Sequence, residues 1–279
     1  MMSSLPTYAV RTLQTLGALL LLYGAIRFLE WKMIYFPRVE IEATPDLLGL
    51  KFEDITFIAE DGVKLNGWWI PHPQARGTLI HCHGNAGNLG HRVELAARLH
   101  QLGVNVFLFD YRGYGKSLGR PSERGLACDA RAAYEFVRAQ YGDAERPPVV
   151  LHGQSLGGAV AAQLALEKKV RGLILESAFT SVPDMARQLY PGLPLHRLLA
   201  TRFDTLDHVQ HLTLPKLIAH SPADEVVPFE MGRRLFAAAA PPKQFVALTG
   251  GHNDGLWTPD FERALRDLLA QAFSAPPQK

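Results

Sequence analysis

The chain reads as an α/β protein with a mainly parallel central sheet and helices on both faces. Three observations predict this. Short continuous apolar runs of strand length recur at residues 77–82, 104–109, 149–151, 172–175, 216–219 and 244–248. Longer Ala- and Leu-rich stretches with helical spacing lie between most of them. Strands covered on both faces by crossover helices have this continuous rather than alternating pattern. Finally, the polar, glycine-rich segments follow these runs at their carboxyl ends, where such sheets bind ligands.

Composition bounds the reading. The 279 residues, 47% hydrophobic and 20% charged, suffice for one large core. A net charge of +2 with no basic block argues against a nucleic-acid partner. Of the two cysteines, Cys82 and Cys128, neither belongs to a Cys/His spacing typical of zinc, so no metal and no cofactor are expected.

Residues 1–38 stand apart from a domain expected over 39–279. Residues 12–26 form an apolar, helix-forming run between Arg11 and Arg27. Such a run rises about 23 Å, short of the roughly 30 Å hydrocarbon core of a bilayer. The arginines can snorkel, and Tyr8, Tyr23, Trp31 and Tyr35 resemble interfacial anchors, so a short membrane span is the favoured reading. A cleaved signal peptide and a core helix are the rivals. No small-residue cleavage site follows, because Arg27-Phe28-Leu29-Glu30-Trp31 comes next. Charge does not orient the segment: Arg11 precedes it, and Arg27, Lys32 and Arg38 follow. Phe36-Pro37 and Pro45-Asp46 break structure and read as a linker.

Residues 52–58 and 63–70 then form a hairpin about Glu60-Asp61-Gly62. The strand at 77–82 runs into His83-Gly84-Asn85-Ala86-Gly87-Asn88, whose glycines allow close approach of a ligand. A helix over 89–102, ended by Gly103, leads to the strand at 104–109. Asp110-Tyr111-Arg112-Gly113-Tyr114-Gly115-Lys116-Ser117 is the loop after it, and Ser122 N-caps a helix reaching about residue 141. Next come the strand at 149–151, the tight turn Gly153-Gln154-Ser155-Leu156-Gly157 and an Ala-rich helix. A serine between strand and helix in Gly-x-Ser-x-Gly is a nucleophile elbow. The strand at 172–175 ends at Glu176-Ser177. Residues 182–210, interrupted by Pro183, Pro191 and Pro194 among Met185, Leu189, Leu193, Leu198 and Phe203, have the make-up of a lid. Strands at 216–219 and 244–248, helices at 229–240 and 260–273 and a frayed tail complete the chain.

A serine hydroxyl needs a base, and the base needs a group that fixes its tautomer. His252 lies just after the last strand, between glycines and a helix, and is the candidate base. Asp224, after the penultimate strand, is preferred over Glu176 as the acid, because Ser…Asp…His is the order expected of this arrangement. The N–H of Leu156 opens a helix and suits a developing oxyanion. The N–H of Asn85 is the second candidate donor, with His83 fixing its loop.

His83-Gly84-Asn85-Ala86, Asp110 to Gly115, Gly153 to Gly158, Asp224-Glu225-Val226-Val227-Pro228 and Gly251-His252-Asn253-Asp254 together resemble the α/β-hydrolase superfamily. Most closely they resemble its membrane-associated ABHD/Bem46-like serine hydrolases, and the motifs span residues 52–273. Tyr35-Phe36-Pro37 after a hydrophobic segment adds to the likeness; Ser221-Pro222, where that group has glycine, departs from it. The resemblance implies hydrolysis of esters, thioesters or lipid acyl groups by an acyl-enzyme. A peptidase on the same fold and a non-catalytic binding or scaffold protein are the alternatives.

Overall fold

The computed structural model describes residues 7–141, 147–253 and 257–274; Asp254 and the tail beyond Ser274 therefore lie outside the described residues. Along the chain run α1 (Thr7–Ile34), β1 (Phe36–Pro37), β2 (Glu53–Ile58), β3 (Lys64–Ile70), β4 (Thr78–Cys82) and β5 (Ala86–Gly87). There follow α2 (Val93–His100), β6 (Asn105–Asp110), α3 (Glu123–Ala139), β7 (Val149–Gln154), α4 (Leu156–Glu167) and β8 (Gly172–Glu176). The last are α5 (Val182–Leu189), α6 (Thr205–His211), β9 (Lys216–His220), α7 (Phe229–Ala238), β10 (Lys243–Ala247) and α8 (Pro259–Ser274).

The main sheet is eight-stranded in the order β10-β9-β8-β7-β4-β6-β3-β2. Its pairings are parallel except β2 with β3 and β3 with β6. The expected hairpin is β2–β3, turned by Gly62 at φ 83°. Alternate side chains of the central strands enter two cores. Ile80, Cys82, Leu151 and Leu175 face α3 and α4, whereas Leu79, Val150, Ile174 and Leu217 face α2 and α8. Every residue of β4, β6, β8 and β9 is buried, which explains their continuous apolar runs. Ser122 caps α3 as expected, accepting the N–H of Gly125 at 3.1 Å.

Two regions differ from the sequence reading. First, α1 has 28 residues and extends well beyond 12–26 at both ends. Its stretch Leu13–Ile34 is long and apolar enough to cross a membrane. Only 6% of that candidate window is buried, so this is not a core helix. The 22 residues Leu13–Ile34 rise about 33 Å, which removes the shortfall in length. Its last turns are packed on the domain: Glu30 is buried and accepts the N–H of Thr201 at 2.8 Å. Second, Phe36-Pro37 is not a free linker. It is β1, paired in parallel with β5, and the N–H of Arg38 donates to Gly87 O at 3.1 Å. Proline is compatible with an edge pairing that does not need its missing N–H. Residues 182–210 form α5, a 3-10 turn at Pro194–Arg197 and α6.

Candidate active site

At the carboxyl end of β7, Ser155 is forced to φ 53°, ψ −119° before α4 begins at Leu156. A non-glycine residue held there stores about 1–3 kcal/mol of strain. Its N–H donates to Glu176 O at 2.9 Å, tying the turn to β8. The flanking glycines are required by contact. A Cβ at Gly157 would lie 1.9 Å from Cys82 O, and one at Gly153 would lie 2.4 Å from Gly157 O. Leu156, as the first helical residue, directs its N–H out of the helix toward the serine side.

The loops after β9 and β10 bring His252 and Asp224 to this serine. His252 Nε2 lies 3.1 Å from Ser155 Oγ, and His252 Nδ1 lies 2.7 Å from Asp224 Oδ2. Ser155 and His252 are each 8% exposed. Asp224 is fully tied. Its Oδ1 accepts the N–H groups of Val226 and Val227 at 2.9 and 2.8 Å, and its Oδ2 lies 3.2 Å from His220 Nε2. Burial pushes the Asp224 carboxyl up. Hydrogen bonds from His220, His252 and Val227 outweigh this and hold it well below the usual carboxylate range. An ionised carboxylate only accepts, so Nδ1 of His252 donates to Asp224 and Nε2 is the ring nitrogen that faces the serine hydroxyl.

Two further groups hold the histidine loop. Glu225 Oε2 accepts the His252 N–H at 3.0 Å. Ser221 Oγ donates to Gly250 O and accepts the N–H of Ala223 at 3.1 Å. The Ser221-Pro222 departure thus links the acid loop to the base loop, which a glycine could not do. Glu176, the rival acid, is held by His152 Nε2 at 3.1 Å.

Asn85 lies in the loop after β4. A Cβ on Gly84 would lie 3.6 Å from Ser155 Cβ, so this loop lies against the serine. His83 Nδ1 is 2.6 Å from Gly84 O. That carbonyl belongs to the same planar peptide as the Asn85 N–H, so His83 sets the direction of the candidate oxyanion donor. Burial pushes His83 down to about 3, so the ring is neutral and Nδ1 bears its proton. Its Nε2 faces Asp110 Oδ1 at 3.5 Å, and burial raises the Asp110 carboxyl to about 8.

Two tyrosines of the 110–115 motif hold this loop. Tyr111 Oη donates to His83 O at 3.1 Å, and Tyr114 Oη donates to Asn85 O at 2.7 Å. Arg112 points away, to Asp129 and Asp61, and pins the motif at its base. Arg92 Nη2 donates to Ala86 O at 3.0 Å from the other side. Sequence reasoning missed the roles of His220, Ser221, Glu225, Arg92 and β1. His220 carried one readable signal: a histidine directly after the apolar run Leu217-Ile218-Ala219, four residues before the acid.

A family model described as "Serine aminopeptidase, S33" matches residues 73–206. An uncharacterised Mycobacterium tuberculosis protein, Rv2307c, is 39% identical over 90% of this chain and 89% of its own length. The α/β hydrolase domain-containing protein WAV2 of Arabidopsis thaliana is 35% identical over 81% of this chain and 82% of its own. The protein bem46 of Schizosaccharomyces pombe is 34% identical over 82% and 80%. Among solved structures, a Pyrococcus furiosus esterase superposes with a TM-score of 0.72 at 22% identity, over 86% of this chain and 100% of its own. The mainly parallel sheet, the strained serine turn and these relatives agree, and the chain belongs to the α/β-hydrolase superfamily.

Proposed function

We propose that this protein is a serine hydrolase of carboxylic esters, acting on acyl groups that include those of lipids or thioesters, from a membrane anchor at α1. The observation that carries the reading is the continuous chain from Ser155 Oγ through His252 to Asp224 on a strained elbow. Ser155 Oγ attacks the acyl carbonyl while His252 Nε2 takes its proton. The oxyanion is held by the N–H groups of Asn85 and Leu156, and Asp224 stabilises the imidazolium. Collapse expels the alcohol or thiol, which leaves with the proton from His252. Water, deprotonated by His252, then releases the acid and restores Ser155.

The esterase neighbours support the ester class, and the exposed apolar α1 supports the anchor. The packing of Glu30 and the pairing of β1 also argue against a signal cleaved off at this segment, because cleavage would remove contacts of the domain itself. Residues 182–210 are proposed as a lid over an apolar acyl pocket. One observation favours a second reading, a peptidase: the aminopeptidase description of the family model over residues 73–206.

The test is hydrolysis of p-nitrophenyl esters from acetate to palmitate by the full chain in detergent, beside Ser155→Ala, with aminoacyl p-nitroanilides in parallel. Ester turnover lost in Ser155→Ala is expected, with an optimum at longer chains. Anilide turnover alone would establish the peptidase. Equal rates in parent and variant would remove the serine-hydrolase reading.

A further inference from the structure

Nothing in the local sequence of the Asn85 loop fixes its conformation. Gly84 and Gly87 flank Asn85 and Ala86, and Gly87 adopts φ 84°. Such a segment keeps a fixed peptide plane only if its surroundings impose one. Among the described residues the strand partner of β5 is β1 alone. The Phe36 N–H donates to Asn85 O at 2.9 Å, and this is the same oxygen that accepts Tyr114 Oη. The Asn85 side chain donates to Ile34 O at 3.0 Å, one of the carbonyls left without a helical partner at the end of α1. Arg38 O in turn accepts the N–H of Gly115 at 2.8 Å and the side-chain amide of Asn88 at 3.2 Å.

Both peptides of Asn85 are therefore held. The one before it is held by His83 on Gly84 O, and the one after it by Phe36 and Tyr114 on Asn85 O. The Phe36 contact comes from a segment nearly fifty positions earlier that is continuous with α1. Tyr35 plugs the junction: it is 3% exposed, with its ring 6.2 Å from Trp31 and 6.4 Å from Phe203. The helix cannot move relative to the domain without pulling on the loop that faces Ser155.

We propose that the α1–β1 junction, through Phe36, is a clamp that positions the Asn85 N–H for the oxyanion. The residues at the end of the apolar helix are thus positioning residues for the reaction. This rests on the serine-hydrolase reading above. A clamp of this kind acts on the tetrahedral state, where the N–H bond to the oxyanion tightens, and not on ground-state binding. It also makes turnover sensitive to how α1 is held.

The experiment uses the full chain in detergent. Phe36→Pro removes the N–H donor, Tyr114→Phe removes the other donor to the same oxygen, and the double variant removes both. Arg27→Gln, which loses its contacts to Leu198 O and Glu30 farther up the helix, is the control for docking of α1 in general. The expected result for Phe36→Pro is a kcat lower by about tenfold or more with KM within about twofold, a part of the 10²–10³ that one oxyanion donor supplies. Because both donors serve one acceptor, the double variant loses more than the product of the single losses.

The proposal is overturned by an unchanged kcat in folded Phe36→Pro. It is equally overturned by a rise in KM that matches the fall in kcat, or by an Arg27→Gln protein of equal melting temperature that loses as much kcat. If Phe36→Pro does not fold, Asn85→Ala carries the same expectation, because it keeps the backbone N–H and removes only the bond to Ile34 O. A parent that hydrolyses no faster than Ser155→Ala is the separate failure of the serine-hydrolase reading, and the clamp falls with it.

Discussion

The two sides of Ser155 are built differently. On the acid–base side, four side chains meet through three contacts of their own: Ser155 to His252, His252 to Asp224, and His220 to Asp224. All sit at or just beyond the carboxyl ends of β7, β9 and β10, on one edge of the sheet, so the sheet brings them together directly. On the proposed oxyanion side the working group is to be a backbone N–H, that of Asn85. It is aimed by carbonyl contacts from His83, Tyr114 and a strand of two residues near the chain's start. The first side depends on which residues are present, and the second on what holds a peptide plane still. A substitution on the first side changes the chemistry available. One on the second side leaves the chemistry intact and degrades its alignment.

The largest expected effect breaks the first side. Asp224→Asn keeps the shape but removes the charge, and its amide can turn His252 so that Nδ1 accepts and Nε2 carries the proton. The base then faces Ser155 with the wrong tautomer. The loss in kcat is expected to be about 10⁴-fold, with the fold retained. Steady-state hydrolysis of a p-nitrophenyl ester measures it. Glu176→Gln is the companion: its carboxylate serves His152, so most of the activity should remain. A deep loss in Glu176→Gln with a mild one in Asp224→Asn would reverse the assignment of the acid.

The second side predicts a smaller effect and a rescue. His83→Leu removes the donor to Gly84 O, and kcat is expected to fall about 10²-fold as the Asn85 N–H loses its direction. His83→Asn can place its amide nitrogen near the original Nδ1 and should recover much of that loss. KM should move little in either. If both variants lose equally, the ring's packing against Tyr111 and Tyr114 matters and its hydrogen bond does not.

This difference also sets what was legible in the sequence. Buried parallel strands announce themselves by unbroken apolar runs, and Ser155 and Asp224 each follow one of them, whereas His252 follows the edge strand β10. Their residue types are rare enough in such loops to be read as chemistry. β1 has no such signal. Phe36-Pro37 is too short to show a period, and its proline reads locally as a break. Its partner β5 lies far along the chain, and no propensity encodes that pairing. Likewise the true end of α1 depends on Glu30 meeting Thr201, a tertiary contact that overrides the polarity of Arg27 and Glu30 as helix-ending signals. Ser221-Pro222 looked like a departure from a pattern, yet its hydroxyl is what joins the acid and base loops.

The smallest expected effect is on stability alone, and it sharpens the oxyanion side by pH. Asp110 is fully buried between His83 Nε2 and the N–H of Leu89, with Arg92 and Tyr114 as the other ionisable neighbours. Burial raises its carboxyl from 3.8 to about 8. The folded state then binds more protons than the unfolded state between those values. Stability is full below about pH 4 and is lost as pH rises toward 8, by up to about 1.4 kcal/mol per pH unit.

His83 acts in the opposite sense, because its folded value of about 3 lies below the ordinary 6.5. Its contribution falls as pH drops from 6.5, so the two slopes oppose each other below that point. Between about pH 6.5 and 8 only Asp110 of the pair still titrates. Asp110→Asn keeps an acceptor for Leu89 at Oδ1, the oxygen that also faces His83 Nε2, and does not titrate. Denaturant midpoints of parent and variant across this window should diverge, with the parent falling and Asp110→Asn holding level. Parallel curves would mean that Asp110 is ionised in the folded protein and that His83 is held by an ion pair instead.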